Sequence, residues 1–156
     1  RITSYGFERY DAHGLVAPLP LGSAMEVVFT CDYSEQFDQA GIFTTAGPEL
    51  WIKSGVEQSD GHAMLGAVVT NPVSDWSTGP VDEWIGKKVR IRVSRAGDAV
   101  TVRAGLDGGE LRLVRLAPFP EDAEAQAGPY ACAPSRAGLT VRFHEWTHGP
   151  ADTSLH

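Results

Sequence analysis

Lys88-Val89-Arg90-Ile91-Arg92-Val93-Ser94, the break Arg95-Ala96-Gly97-Asp98 and, past Ala99, Val100-Thr101-Val102-Arg103 form one stretch in which apolar and polar residues take turns. A period of two belongs to a half-buried strand, because successive side chains leave an extended backbone on opposite faces. A helix would need apolar residues three or four apart. The short break carries Gly97 and Asp98 between two alternating runs, which predicts a hairpin.

Working outward, the same period recurs. Met25, Val27, Phe29 and Cys31 alternate with Glu26, Val28, Thr30 and Asp32. Leu50, Ile52 and Val56 alternate with Trp51, Lys53 and Glu57, and Leu65, Ala67 and Val69 with Gly66, Val68 and Thr70. Near the end, Leu139, Val141 and Phe143 alternate with Thr140, Arg142 and His144. The breaks are turn-like, among them Ala46-Gly47-Pro48, Ser59-Asp60-Gly61 and Asp107-Gly108-Gly109-Glu110. Pro118 to Gly128 reads as a surface loop with one helical turn in Glu121 to Ala127. Many short alternating strands joined by turns predict an all-β sandwich of two packed sheets in one domain spanning 1–156.

Composition agrees with this. The chain has 156 residues, and its 17 glycines and 10 prolines disfavour long helices. Its net charge of −7 repels phosphate backbones, so nucleic acid is not an expected partner. No run of 18 apolar residues is present to cross a membrane, and no signal-peptide pattern is visible. Only two cysteines occur, Cys31 and Cys132, without metal-ligand spacing; both are expected to be reduced and buried in a cytoplasmic protein.

His144-Glu145-Trp146-Thr147-His148 matches the HExxH zinc-protease pattern. That chemistry needs a helix, where residues four apart share a face. Here the run continues a strand and Gly149-Pro150 follows, so the two imidazoles stand roughly 13 Å apart at about 3.3 Å per residue. No metal and no cofactor is expected. A carboxylate pair such as Glu57 and Asp75 would suit acid–base chemistry. No strand, however, carries two acids on one face with apolar residues between them.

If Leu50, Ile52 and Val56 face the core, then Trp51, Lys53 and Glu57 face away, as do Arg90, Arg92, Arg103 and Arg142. Two readings of these residues stand side by side. One is a ligand face, with Trp stacking on sugar rings and cations gripping hydroxyls or anions. The other is an Arg-rich sheet face paired with cross-strand acids.

The segments Asp32-Tyr33-Ser34-Glu35-Gln36-Phe37-Asp38-Gln39-Ala40-Gly41, Trp51 to Glu57, Asp60-Gly61, Ser74-Asp75-Trp76-Ser77 and Gly128-Pro129-Tyr130-Ala131-Cys132-Ala133-Pro134, in this order, resemble the "regulation of enolase" family. The match runs over roughly Gly22 to Phe143. It implies a concanavalin A-like jelly roll of two antiparallel sheets, one of them concave, like the accessory domains of some β-xylosidases. On that fold Trp51, Lys53, Glu57, Asp75 and Trp76 are expected near the concave face, with Arg90 and Arg103 as further contacts. The ligand expected first is a carbohydrate or sugar acid. Alternatives are an interaction with a metabolic enzyme such as enolase, and a hydrolase or isomerase using Glu57 or Asp75. The sequence lacks the closely spaced paired glutamates of glycanases with this fold, which weighs against an enzyme.

Alkylation of the denatured chain without reductant, followed by intact-mass measurement, is expected to add two labels; none would reveal a disulfide.

Overall fold

The computed structural model describes residues 13–134 and 137–156, without the side chains of His13 and Cys31. Among the described residues twelve strands are formed: β1 His13–Gly14, β2 Ala17–Pro18, β3 Ser23–Cys31, β4 Gln39–Thr45, β5 Trp51–Ser59, β6 His62–Thr70, β7 Ser74–Pro80, β8 Val89–Ala96, β9 Ala99–Leu106, β10 Arg112–Pro118, β11 Gln126–Cys132 and β12 Val141–Pro150. The single helical element among the described residues is the 3₁₀ turn Asp82–Trp84. One sheet runs β11-β4-β5-β6-β7, with β1 and β2 both pairing the free side of β11; the other runs β10-β9-β8-β3-β12. All these pairings are antiparallel.

The predicted hairpin is β8–β9, where Val93 lies opposite Val102 and Ile91 opposite Ala104. Val89, Ile91, Val93, Val100 and Val102 enter the core beside Met25, Val27 and Phe29, against Ala40, Ile42, Ile52, Val56 and Val69 of the other sheet. Burying such side chains contributes about 1.5–3 kcal/mol each relative to exposure. In β12 the register shifts between Phe143 and Glu145, which lie opposite Phe29 and Val28. His144 is therefore the extra residue of a bulge, and both Phe143 and Trp146 pack against the core. The HExxH run is extended strand, with His144 Nε2 3.0 Å from Thr30 Oγ1.

The expected helical turn in 121–127 is corrected: β11 already begins at Gln126. Arg95 explains why. Its guanidinium, 2% exposed, donates to the carbonyls of Leu19, Pro120, Glu121 and Ala123 and lies 5.4 Å from the Phe119 ring centroid. The segment keeps one turn bond, Ala123 N–H to the Pro120 carbonyl at 3.2 Å, while the buried cation holds the Glu121 and Ala123 carbonyls inward. Cys132 is buried in β11, whereas Cys31 ends β3 of the other sheet and its side chain lies outside the described residues.

Gly41, Gly55 and Gly66 form a continuous row across β4, β5 and β6. A Cβ on Gly41 would stand 1.9 Å from the Ser54 carbonyl oxygen, and one on Gly55 2.0 Å from that of Ala40. Only glycine permits the two backbones to lie this close. Gly55→Ala is expected to destabilise the protein by at least about 1–3 kcal/mol, the usual range for overpacking. Gly149→Ala, with nothing within 4 Å of its Cβ, should stay within about 0.5 kcal/mol. Urea unfolding of the two variants measures the difference.

Candidate functional site

On the outer face of the seven-stranded sheet three rows run across the strands. The middle one is Tyr130-Gly41-Gly55-Gly66-Thr78, one side chain from each of β11, β4, β5, β6 and β7. It is flanked by Gln39-Glu57-Met64 on one side and Phe43-Lys53-Val68-Trp76 on the other. Because glycine has no side chain, the middle row is a trough. Gln39, Lys53, Glu57, Met64, Val68, Trp76, Thr78 and Tyr130 stand around a floor of Gly55 and Gly66. The enclosed part is shallow, about 20 Å³.

Lys53 and Glu57 lie four residues apart on one strand face, roughly 13 Å between Cα atoms. Gln39, opposite Glu57, links them. Lys53 Nζ donates to Gln39 Oε1 at 2.8 Å, while Gln39 Nε2 donates to Glu57 Oε2 at 2.8 Å and to the Phe37 carbonyl at 3.2 Å. A half-buried cation and anion are thus held on either side of Gly55 by one amide. Lys53 Nζ also stands 5.4 Å from the centroid of the Tyr130 ring, within cation–π range. Tyr130 is 4% exposed. Burial first, then the nearby charges of Glu57 and Cys132, push its hydroxyl well above the usual phenol range. It is a neutral donor, and it makes no hydrogen bond among the described residues.

The site residues read from the sequence are divided by the structure. Lys53, Glu57 and Trp76 line the trough. Trp51 shares their face but is only 5% exposed; its indole N–H donates to the Pro48 carbonyl at 3.1 Å and its ring meets Phe43 at 5.9 Å. The expected exposure of Trp51 is corrected: that corner of the outer face is packed. Trp76 is the exposed tryptophan, at 45%. Asp75 lies on the opposite side of β7, where Arg115 of β10 binds both it, at 2.8 Å, and Ser77, at 3.0 Å. It clips the two sheet edges together and is apart from Glu57.

Arg90 and Arg103 belong to the outer face of the other sheet. Arg90 pairs with Glu26, Asp107 at 2.8 Å and Glu145 at 3.1 Å; Arg92 with Glu26 and Asp152; Arg103 with Asp152 at 2.8 Å. Burial works against the Arg90 charge, but hydrogen bonds to Asp107 and Glu26 outweigh it and its pKa is raised. Arg103 also donates to the carbonyls of Ser154 and Leu155, which ties the last residues across this sheet. This is the cross-strand pairing of arginines with acids, and the expected gathering of Arg90 and Arg103 with Lys53 is corrected.

A larger cavity, about 620 Å³, opens at the end of the sandwich among Pro18, Leu19, Pro20, Ala46 and Glu121, beside Arg95. Four backbone carbonyls accept from the two terminal nitrogens of the Arg95 guanidinium, whose buried Nε–H has no partner among the described residues. Among the described residues, the trough brings together placed polar groups and an exposed aromatic.

Gln39 and Tyr130 were not singled out from the sequence. Their signal was the hairpin register: β4 and β5 pair so that residue numbers sum to 96, as in Gln39 with Glu57 and Gly41 with Gly55.

Two stacked antiparallel sheets carrying this arrangement define a concanavalin A-like jelly-roll sandwich. The chain belongs to the DUF1349 family, described as a protein of unknown function, whose model matches residues 1–151. It is 39% identical to "Regulation of enolase protein 1" of Saccharomyces cerevisiae, over all of this chain and 79% of that one. A crystal structure of a functionally unknown protein from Saccharomyces cerevisiae superposes with TM-score 0.89 at 38% identity, over 96% of this chain and 80% of that one. The xylan β-1,4-xylosidase of Bacillus halodurans shares the fold at TM-score 0.70 and 14% identity, over 81% of this chain and 27% of its own.

Trp51→Ala is expected to cost about 3–5 kcal/mol, the usual range for a buried aromatic, and to lower Tm by roughly 10 °C or more. Trp76→Ala should lower it by no more than a few degrees. Thermal melts of both variants check the assignment of scaffold and site.

Proposed function

We propose that this protein is a carbohydrate-binding domain that uses the trough on the outer face of the seven-stranded sheet. The observation that carries the reading is the conjunction of a glycine floor, a Lys53–Gln39–Glu57 chain of donors and acceptors, and the exposed ring of Trp76 at the rim. Sugar hydroxyls both donate and accept, so an ammonium and a carboxylate held on either side of one floor suit them. An exposed indole offers an apolar face to the C–H side of a sugar ring. The shared fold with part of a xylosidase supports the same direction by analogy.

The ligand is a neutral sugar rather than a sugar acid. Lys53 and Glu57 balance each other in charge, and Arg90 and Arg103, the cations that would favour an anion, are engaged with acids on the other sheet. Acid–base catalysis by Glu57 with Asp75 is disfavoured, because Asp75 is paired with Arg115 and faces away from the trough. A second reading, contact with a metabolic enzyme, has the printed name of the yeast relative behind it.

Titration calorimetry with neutral mono- and oligosaccharides is expected to show saturable binding. Lys53→Met and Glu57→Gln should each weaken it about tenfold, equivalent to about 1.4 kcal/mol, with Tm within a few degrees of the parent. Heat signals from sugar acids alone, or from no sugar at millimolar concentration, would overturn the reading.

A further inference from the structure

Resting on that reading, we propose that the trough recognises the terminal unit of a glycan: one hydroxyl of that unit meets the Tyr130 hydroxyl, and the rest of the chain leaves over Trp76 at the β7 edge.

The geometry is that of a blind groove. From Gly41 to Thr78 the middle row crosses three strand spacings, roughly 14 Å at about 4.8 Å each. At one end stands Tyr130, buried, with Lys53 over its ring. At the other end Thr78 is exposed on β7, the last strand of the sheet. A groove that held the middle of a polysaccharide would have to be open at both ends. This one has a wall and an exit.

The wall carries the discriminating group. A hydroxyl that opens onto a groove and bonds to no neighbour is available to a ligand there. Tyr130 lines the trough with its O–H uncommitted among the described residues, while Gln39 has its amide fully engaged. The enclosed part of the trough, about 20 Å³, is no larger than one water-sized group, so a sugar enters it with a hydroxyl and not with a ring. The sugar ring itself lies above, on the glycine floor, and a second unit reaches the face of Trp76.

The test is an array of glycans immobilised through their reducing ends, probed with the full chain and followed by calorimetry on the soluble hits. The expected hits share their outermost unit and lose the signal when that unit is O-methylated or extended. Tyr130→Phe removes no hydrogen bond of the protein, so its Tm should match or exceed the parent's while affinity falls at least tenfold. Trp76→Ala should remove the gain in affinity from monosaccharide to disaccharide. Hits that share only an internal motif, or a Tyr130→Phe variant that binds as the parent does, overturn the terminal-unit proposal and leave sugar binding standing. An array silent towards the parent chain overturns both.

Discussion

The approach of β4 and β5 at Gly41 and Gly55 governs the outer face. Each glycine places the neighbouring strand's carbonyl where a Cβ would otherwise be, so the pair forms only in this register. A slip of one residue would bring Ala40 or Ile42 to that crossing and send the core side chains of both strands outward. Fixing this one contact also sets Gln39 opposite Glu57 and Phe43 opposite Lys53. The trough, its walls and the amide that bridges them are consequences of the same constraint.

The two outer faces use their charges differently. On the five-stranded sheet each of Arg90, Arg92 and Arg103 has at least one carboxylate within 3.1 Å. Asp152 joins this network through Arg92 and Arg103, and its backbone N–H donates to Ser94 Oγ at 2.8 Å. A network of this kind fixes the closing residues of the chain against the sheet. An isolated surface pair contributes little, but several shared charges with defined geometry hold position better. The seven-stranded sheet instead carries, among the described residues, Lys53 and Glu57 linked through Gln39.

Most of the fold was legible in the sequence wherever one face of a strand is core and the other is charged. β3, β8 and β9 fit that description, and the period-two pattern located them. β7, Ser74 to Pro80, has almost no apolar residue to alternate and is mostly exposed; as an edge strand it is held by pairing with β6 and by Arg115, neither of which leaves a local pattern. β10 and β12 each contain a register shift, which breaks the parity that a sequence pattern relies on. In β11 Gly128 and Pro129 read as punctuation, yet a Cβ on Gly128 would meet the Leu15 carbonyl oxygen at 1.8 Å. That glycine answers a close backbone approach from outside β11, information that no window of sequence contains. Of the trough's lining, Lys53, Glu57 and Trp76 were named by alternation and resemblance. Trp51 was misjudged in exposure because alternation gives direction and says nothing of what packs on the outer side.

Burial on both faces of one sheet is what separates the trough from an ordinary wet surface. Antiparallel sandwiches usually keep one face of each sheet in water, and there a polar side chain needs no partner. Gln39, Trp51, Val68, Thr70 and Tyr130 all lie on the outer face and are nevertheless buried. Under that condition each polar group must find a partner or remain costly. Gln39 and Trp51 have theirs, and Thr70 shares a hydrogen bond with Ser74 at 2.8 Å. Tyr130 bonds to no neighbour among the described residues, and its hydroxyl is not sealed off: it opens onto the trough. Were the proposed sugar bound, this is the hydroxyl it would meet, over a floor that only glycine can form.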